Sequence, residues 1–198
     1  MDKVIKRRRG GPRIFDRDQA VDTAMRLFWR HGYEGVSLND LTSAIGVAPP
    51  SIYAAFGSKA DLYREALDHY FGLPGAVQVL GATATLPETV ETLLRRAVDA
   101  VTDPAGERGC MVSSGMLQCA SENSGLALEL VERRNGMREM IAETLTRWLD
   151  QERATSLARY LVAVLQGLSV QARDGASREE LAQVTSEVVA GIRATASG

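Results

Sequence analysis

The chain has 198 residues (21.4 kDa), is 45% hydrophobic and 24% charged, and carries 23 Lys and Arg against 25 Asp and Glu, a formal net charge of -2. That size and balance suit one ordinary domain or two small ones sharing a core, and they exclude disordered, collagen-like and disulfide-scaffold proteins. Two cysteines make no disulfide framework, no run approaches the roughly 18 consecutive apolar residues of a membrane span, and the basic N-terminus leads into polar sequence rather than a secretory h-region, so a soluble, cytoplasmic protein is expected.

The near-zero net charge conceals segregation. Residues 1–70 hold 11 basic and 9 acidic side chains, whereas residues 71–198 hold 12 and 16. The first 17 residues carry Lys3, Lys6, Arg7, Arg8, Arg9, Arg13 and Arg17 against Asp2 and Asp16. A basic arm (1–15) on a near-neutral chain points to a polyanion partner for one end only.

From Asp16 onward apolar residues recur three and four apart with no strand-like alternation, which predicts an all-α protein of about nine helices. The first, Asp16 to His31, places Ala20, Val21, Ala24, Leu27 and Phe28 on one stripe and stops at Gly32. A short helix follows from Ser37, which pairs with Asp40 as a capping box, to Gly46. Pro49 and Pro50 suit the start of a third helix ending at Phe56, because a proline there lacks only an N–H that has no helical partner. Ser58 with Asp61 caps a fourth, bearing Leu62, Ala66, Leu67 and Tyr70. The Gly- and Thr-rich stretch 72–85 is the best internal boundary, dividing a 16–71 domain from a 72–198 domain. Beyond it helices are predicted over Pro87 to Thr102, 110–122, 124–149 (Met137, Ile141, Leu145 and Trp148 on a stripe, Gly136 either bending it or facing solvent), Ser156 to Ala172 and Ser177 to Ile192.

A longer helix, two short helices joined by a Gly-containing turn, and a following helix form a helix-turn-helix module whose second short helix enters the major groove. The residues sharpen this reading. Phe28, the Gly32-Tyr33 turn, Ser37, the Ile45-Gly46-Val47 turn, Tyr53, Phe56, Ser58 and Lys59 lie in a stretch, Ala20 to Leu67, that resembles the DNA-binding domain of TetR-type transcriptional repressors. Phe28, Leu41, Ile45, Ile52 and Phe56 read as the module's core. Ser37 and Tyr53 carry hydroxyls suited to phosphate contacts, which set register without reading bases; the resemblance implies the same. Lys59, at a helix N-terminus, suits a phosphate as well.

The presumed reading helix offers Pro49, Pro50, Ser51, Ala54 and Ala55, and no Arg, Asn or Gln for bidentate base contacts. Specificity then rests on thymine-methyl contacts, Ser51, neighbouring side chains or DNA shape, and Arg7, Arg8, Arg9 and Arg13 of the arm gain weight as minor-groove ligands.

The resemblance implies that residues 72–198 bind a ligand and dimerise. Small residues on the last two helices (Ala158, Ala163, Gly167, Ala172, Ala182, Ala190) would allow close approach across a two-fold interface, or would pack within the subunit. A small, apolar effector is expected, with Phe71, Met111, Met116, Leu117, Cys119, Met137, Met140, Trp148 and Gln166 as candidate lining residues, each more readily explained as plain core. On one helix, Cys110 and Cys119 would stand on opposite faces about 13 Å apart, beyond the roughly 7 Å a disulfide allows. Cys110 reads first as a plain buried cysteine; at a helix start it would also have a stabilised thiolate suited to redox sensing.

Enzymatic chemistry lacks its residues. The two histidines, His31 and His69, have no partners at metal-ligand spacing, no phosphate-cradling glycine loop is present, and Ser113-Ser114 lacks the first glycine of a nucleophile elbow. No metal and no cofactor is expected. The reading is a homodimeric repressor of a palindromic double-stranded DNA operator, released by a small effector, with no membrane partner. An effector-independent DNA-binding regulator and a thiol-based repressor acting through Cys110 remain as alternatives.

Overall fold

The computed structural model describes residues 16–73 and 85–196; the basic arm and most of the predicted boundary segment lie outside them. Among the described residues there are eight α-helices and no strand: α1 (Arg17–His31), α2 (Leu38–Ile45), α3 (Pro49–Phe56), α4 (Lys59–Phe71), α5 (Leu86–Val101), α6 (Ser124–Leu145), α7 (Gln151–Arg173) and α8 (Arg178–Ala196).

Local chemistry sets most of the ends. The Asp16 carboxylate accepts from Gln19 N–H, Ser37 and Asp40 complete their capping box, and the Ser58 hydroxyl accepts from Asp61 N–H. Gly46 closes α2 at φ 79°, in the left-handed region where a side chain is strained.

Two cores follow from the helix faces. In the first, α1 packs on α4 and α2 while α3 leans on α2 and α4, burying Phe28, Leu41, Ile52, Phe56, Leu62, Tyr63 and Leu67, with Ile45 half-buried at its margin. It is not closed by these helices alone, since Met111, Val112, Met116, Leu126 and Leu130 complete it from the body. The second core joins α5, α6, α7 and α8 through residues such as Leu94, Ile141, Leu145, Leu161, Leu168 and Leu181.

Three expectations need correction. Residues 110–122 form no helix; they run as successive turns into a single 3₁₀ turn, Ser121–Asn123. The guanidinium of Arg134 donates to the carbonyls of Val112 (3.1 Å) and Gly115 (2.9 Å), and Met116 takes φ 49°, so the polar groups are satisfied by tertiary contacts rather than a helical ladder. The described residues therefore hold eight α-helices where about nine were expected, and the all-α class stands. The long sixth helix stops at Leu145 rather than 149, and the next starts at Gln151 rather than Ser156, because the Asp150 carboxylate accepts from Arg153 N–H at 2.9 Å and caps it five residues early. Gly136 does not interrupt α6, and a β-carbon there would meet open space.

Candidate nucleic-acid interface and effector cavity

The turn between α2 and α3 sets the reading surface. Ala48 caps α3 without a side-chain bond, and Pro49 and Pro50 occupy its first turn, where they forfeit no hydrogen bond. Ile52 and Phe56 anchor the inner face. The outer face presents Pro49, Pro50, Ser51, Tyr53 and Ala54 to solvent, with Tyr53 54% exposed.

Ser37 and Lys59 flank this face in unequal states. The Ser37 hydroxyl donates to the Asp40 carboxylate at 2.6 Å and accepts from Asp40 N–H, so its proton is already committed to the cap. Lys59 is half-buried, its ammonium 4.1 Å from the centroid of the Tyr33 ring. Burial pulls it below the usual lysine value, against the nearby carboxylates of Glu34 and Asp40, which push the other way.

Charge on the folded module is adverse to DNA. Residues 16–70 hold five Lys or Arg against eight Asp or Glu. The four arginines are committed: Arg17 to Glu65, Arg26 to Asp22, Arg30 to Glu107, and Arg64 to both Asp61 and Glu129. The cations of the arm, Arg7, Arg8, Arg9 and Arg13 among them, lie outside the described residues.

The module is fastened to the body on several sides. Arg64 makes a bidentate pair with Glu129 of α6 that holds this carboxyl below its usual range, and Arg133 reaches Asp68 at 2.7 Å. Glu34 accepts from Ala120 N–H and Asn123 Nδ2, which lowers its pKa likewise. Burial beneath this junction pushes the Tyr63 phenol up to about 12. None of these partners is discernible from periodicity, since each links residues tens of positions apart.

Where α4, α5, α6 and α7 converge there is a cavity of about 60 Å³. Phe71, Val101, Val112, Met137 and Leu165 supply apolar wall, and Tyr70, Cys110, Ser113 and Arg133 supply polar atoms. The Tyr70 hydroxyl is hydrogen-bonded to the Cys110 side chain and raised well above its ordinary pKa by burial. Of the predicted lining residues, Phe71 and Met137 meet here. Met111 and Met116 are buried in the first core, Leu117 is 65% and Met140 39% exposed, and Cys119, Trp148 and Gln166 are half-buried elsewhere. Both cysteines are free. Cys110 stands in irregular chain just before a turn, so it opens no helix and shares none with Cys119. Ala97, Ala100, Val101 and Leu165 escaped sequence reasoning because their helical periodicity also matches simple core positions. Among the described residues no group of three or more His, Cys, Asp or Glu could hold a metal ion, and no helix is long and apolar enough to cross a membrane.

Two short helices at a glycine turn, braced by α1 and α4 and presenting one exposed face, define a helix-turn-helix nucleic-acid reader on an α-helical body. Residues 20–66 match the family described as bacterial regulatory proteins, tetR family. The chain is 34% identical to the HTH-type transcriptional repressor ComR of Escherichia coli (strain K12), over 92% of this chain and 91% of that one, and 32% identical to the repressor BdcR of the same strain, over 87% and 86%. A cysteine mutant of the TetR family transcriptional regulator CifR, complexed with 26-base-pair double-strand operator DNA, superposes with a TM-score of 0.83 at 39% identity, covering 91% of this chain and 98% of that chain. This chain belongs to the TetR family of transcriptional regulators.

Proposed function

We propose that the chain is a homodimeric transcriptional repressor in which residues 16–71 read DNA, residues 72–198 bind effector and dimerise, and the arm 1–15 supplies most of the phosphate neutralisation. The observation that carries the DNA reading is the exposed face of α3, with Pro49, Pro50, Ser51 and Tyr53 outward and Ile52 and Phe56 anchoring it. CifR, 39% identical, is seen with operator DNA, which supports the same partner for this chain.

The charge count assigns the arm its part. A folded module with a net acidic balance and paired arginines releases few counterions from DNA, so Lys3, Lys6, Arg7, Arg8, Arg9 and Arg13 carry that term. Tyr53 contributes a phosphate contact that fixes register, Ser37 adds one by turning its hydroxyl off the Asp40 carboxylate, and Lys59 adds one by turning off the Tyr33 ring. DNA selected from a randomised pool by the full chain is expected to be a palindrome. Deletion of residues 1–13 is expected to weaken binding and flatten its salt dependence; an unchanged salt slope overturns the role given to the arm.

Dimerisation through α7 and α8 is supported by their outer faces. Ala158 and Ala172 are consumed in the subunit's own core, whereas Ala163, Ala182 and Ala190 are exposed and Gly167 opens onto empty space. The cavity beside Phe71 and Met137 suits an effector of only a few heavy atoms, mostly apolar, unless the helices part around a larger one. Such a compound relieves repression only by binding the DNA-incompetent spacing of the heads more tightly, typically by about 1–3 kcal/mol. A panel of small neutral compounds, screened by thermal shift and then by loss of operator binding, tests this.

A further inference from the structure

The joint between α1 and the body is organised around one side chain. Trp29, in the last turn of α1 and 5% exposed, donates its indole N–H to the Gly109 carbonyl at 3.0 Å. Its ring meets Tyr70 edge-on at 4.8 Å. Its main-chain carbonyl, one of the four that a helix end leaves without an internal partner, accepts from the Arg173 guanidinium at 2.6 Å. Arg173 is the last residue of α7, one of the two helices assigned above to the dimer.

The segment that follows α5 closes the triangle. Arg108 donates to the carbonyls of Ala172 in the last turn of α7 and of Ala176 just beyond it, and Cys110 N–H donates to Ser169 Oγ at 2.8 Å. On the other side Arg30 grips Glu107 with two bonds and Arg26 reaches the Ala105 carbonyl. Gly109 is forced at the centre, because at φ +84° an added β-carbon would lie 2.7 Å from Arg173 Cγ.

We infer that Arg173, Trp29 and Gly109 form a latch that sets the separation of the two reading helices, acting as positioning residues that touch no DNA. The reasoning rests on the dimeric reading above. If α7 is fixed at the two-fold interface, a charge-assisted bond from its end to the base of the helix-turn-helix holds each α3 at one distance from the axis. The α2–α3 pair begins at Leu38, shortly after Trp29, and α1 packs on α2 and α4, on which α3 leans, so a tilt of α1 at this joint reaches α3 through them. The same segment continues into Cys110, Val112 and Ser113 of the cavity wall, which places the latch between effector and DNA.

The test uses full-length protein and a DNA pool in which selected half-sites are joined by spacers of varied length. Wild type is expected to prefer one spacing. Arg173→Met keeps the aliphatic stem and removes the donors, and Trp29→Phe keeps a ring on Tyr70 and removes the N–H. Both are expected to retain the half-site sequence but to lose roughly tenfold or more of the discrimination between best and next spacing, the order a charge-assisted bond supplies. Arg173→Lys, which restores a cationic donor, should recover much of it. Arg173 is largely exposed, so its truncation leaves the core intact, and thermal unfolding of each variant confirms folding. Unchanged spacing preference in folded Arg173→Met and Trp29→Phe overturns the latch. A wild-type pool without paired half-sites overturns the dimeric reading itself.

Discussion

Gly109 and Tyr53 show two ways in which one residue matters. An alanine at 109 would bring a methyl within 2.7 Å of Arg173 Cγ and 2.9 Å of the Ser169 carbonyl, on a backbone at φ +84° that side chains avoid. Left-handed strain of about 1–2 kcal/mol and overpacking of about 1–3 kcal/mol together predict that Gly109→Ala loses roughly 2–5 kcal/mol, read from urea unfolding. Tyr53 is half exposed and anchors nothing, so Tyr53→Phe should leave unfolding unchanged. It should weaken operator binding by about one hydrogen bond, roughly 0.5–1.5 kcal/mol, across all half-site sequences alike, as anisotropy titration on matched and mismatched DNA can show.

Between elements, carboxylates do much of the tying. Glu34, Asp61 and Glu129 are held below their ordinary pKa, chiefly by the Ala120 N–H, the Ser58 hydroxyl and the Arg64 guanidinium respectively. A depressed folded pKa contributes stability that is complete above the unfolded value and is lost as pH falls through the folded one. Stability should thus hold near neutrality and decline from about pH 4.5 downward, and Glu129→Gln should flatten the decline. Denaturant midpoints measured between about pH 7 and about pH 3 decide it; a midpoint that rises on acidification refutes the assignment. The Glu34 and Glu129 shares of the loss belong to the joints between module and body, so the module should loosen from the body before the second core melts.

For the whole molecule, the open space over Gly167 separates folding from assembly. A β-carbon there would meet nothing within 4 Å beyond its own helix, and a glutamate would place charge on the face assigned to the dimer. Gly167→Glu is expected to fold normally and sediment as a monomer. Operator affinity should fall by about a hundredfold or more, because the second half-site no longer benefits from a tethered head. A dimeric Gly167→Glu protein with wild-type binding would move the interface elsewhere.

What the sequence alone determined was local. Helix periodicity, the Ser37-Asp40, Ser58-Asp61 and Ser177-Glu180 caps, the Gly32 and Gly46 stops and the prolines before Ser51 are short-range signals, and they located the reading helix and its exposed face. The tertiary structure alone decided whatever depends on partners far along the chain. Arg134 turned an apparently helical 110–122 into turns by satisfying its carbonyls from 19 and 22 residues away, and Arg173 met Trp29 across 144. Met111 and Met116 went to the first core rather than the cavity for the same reason: apolar periodicity says that a side chain is buried, and only the packing of other helices says against what.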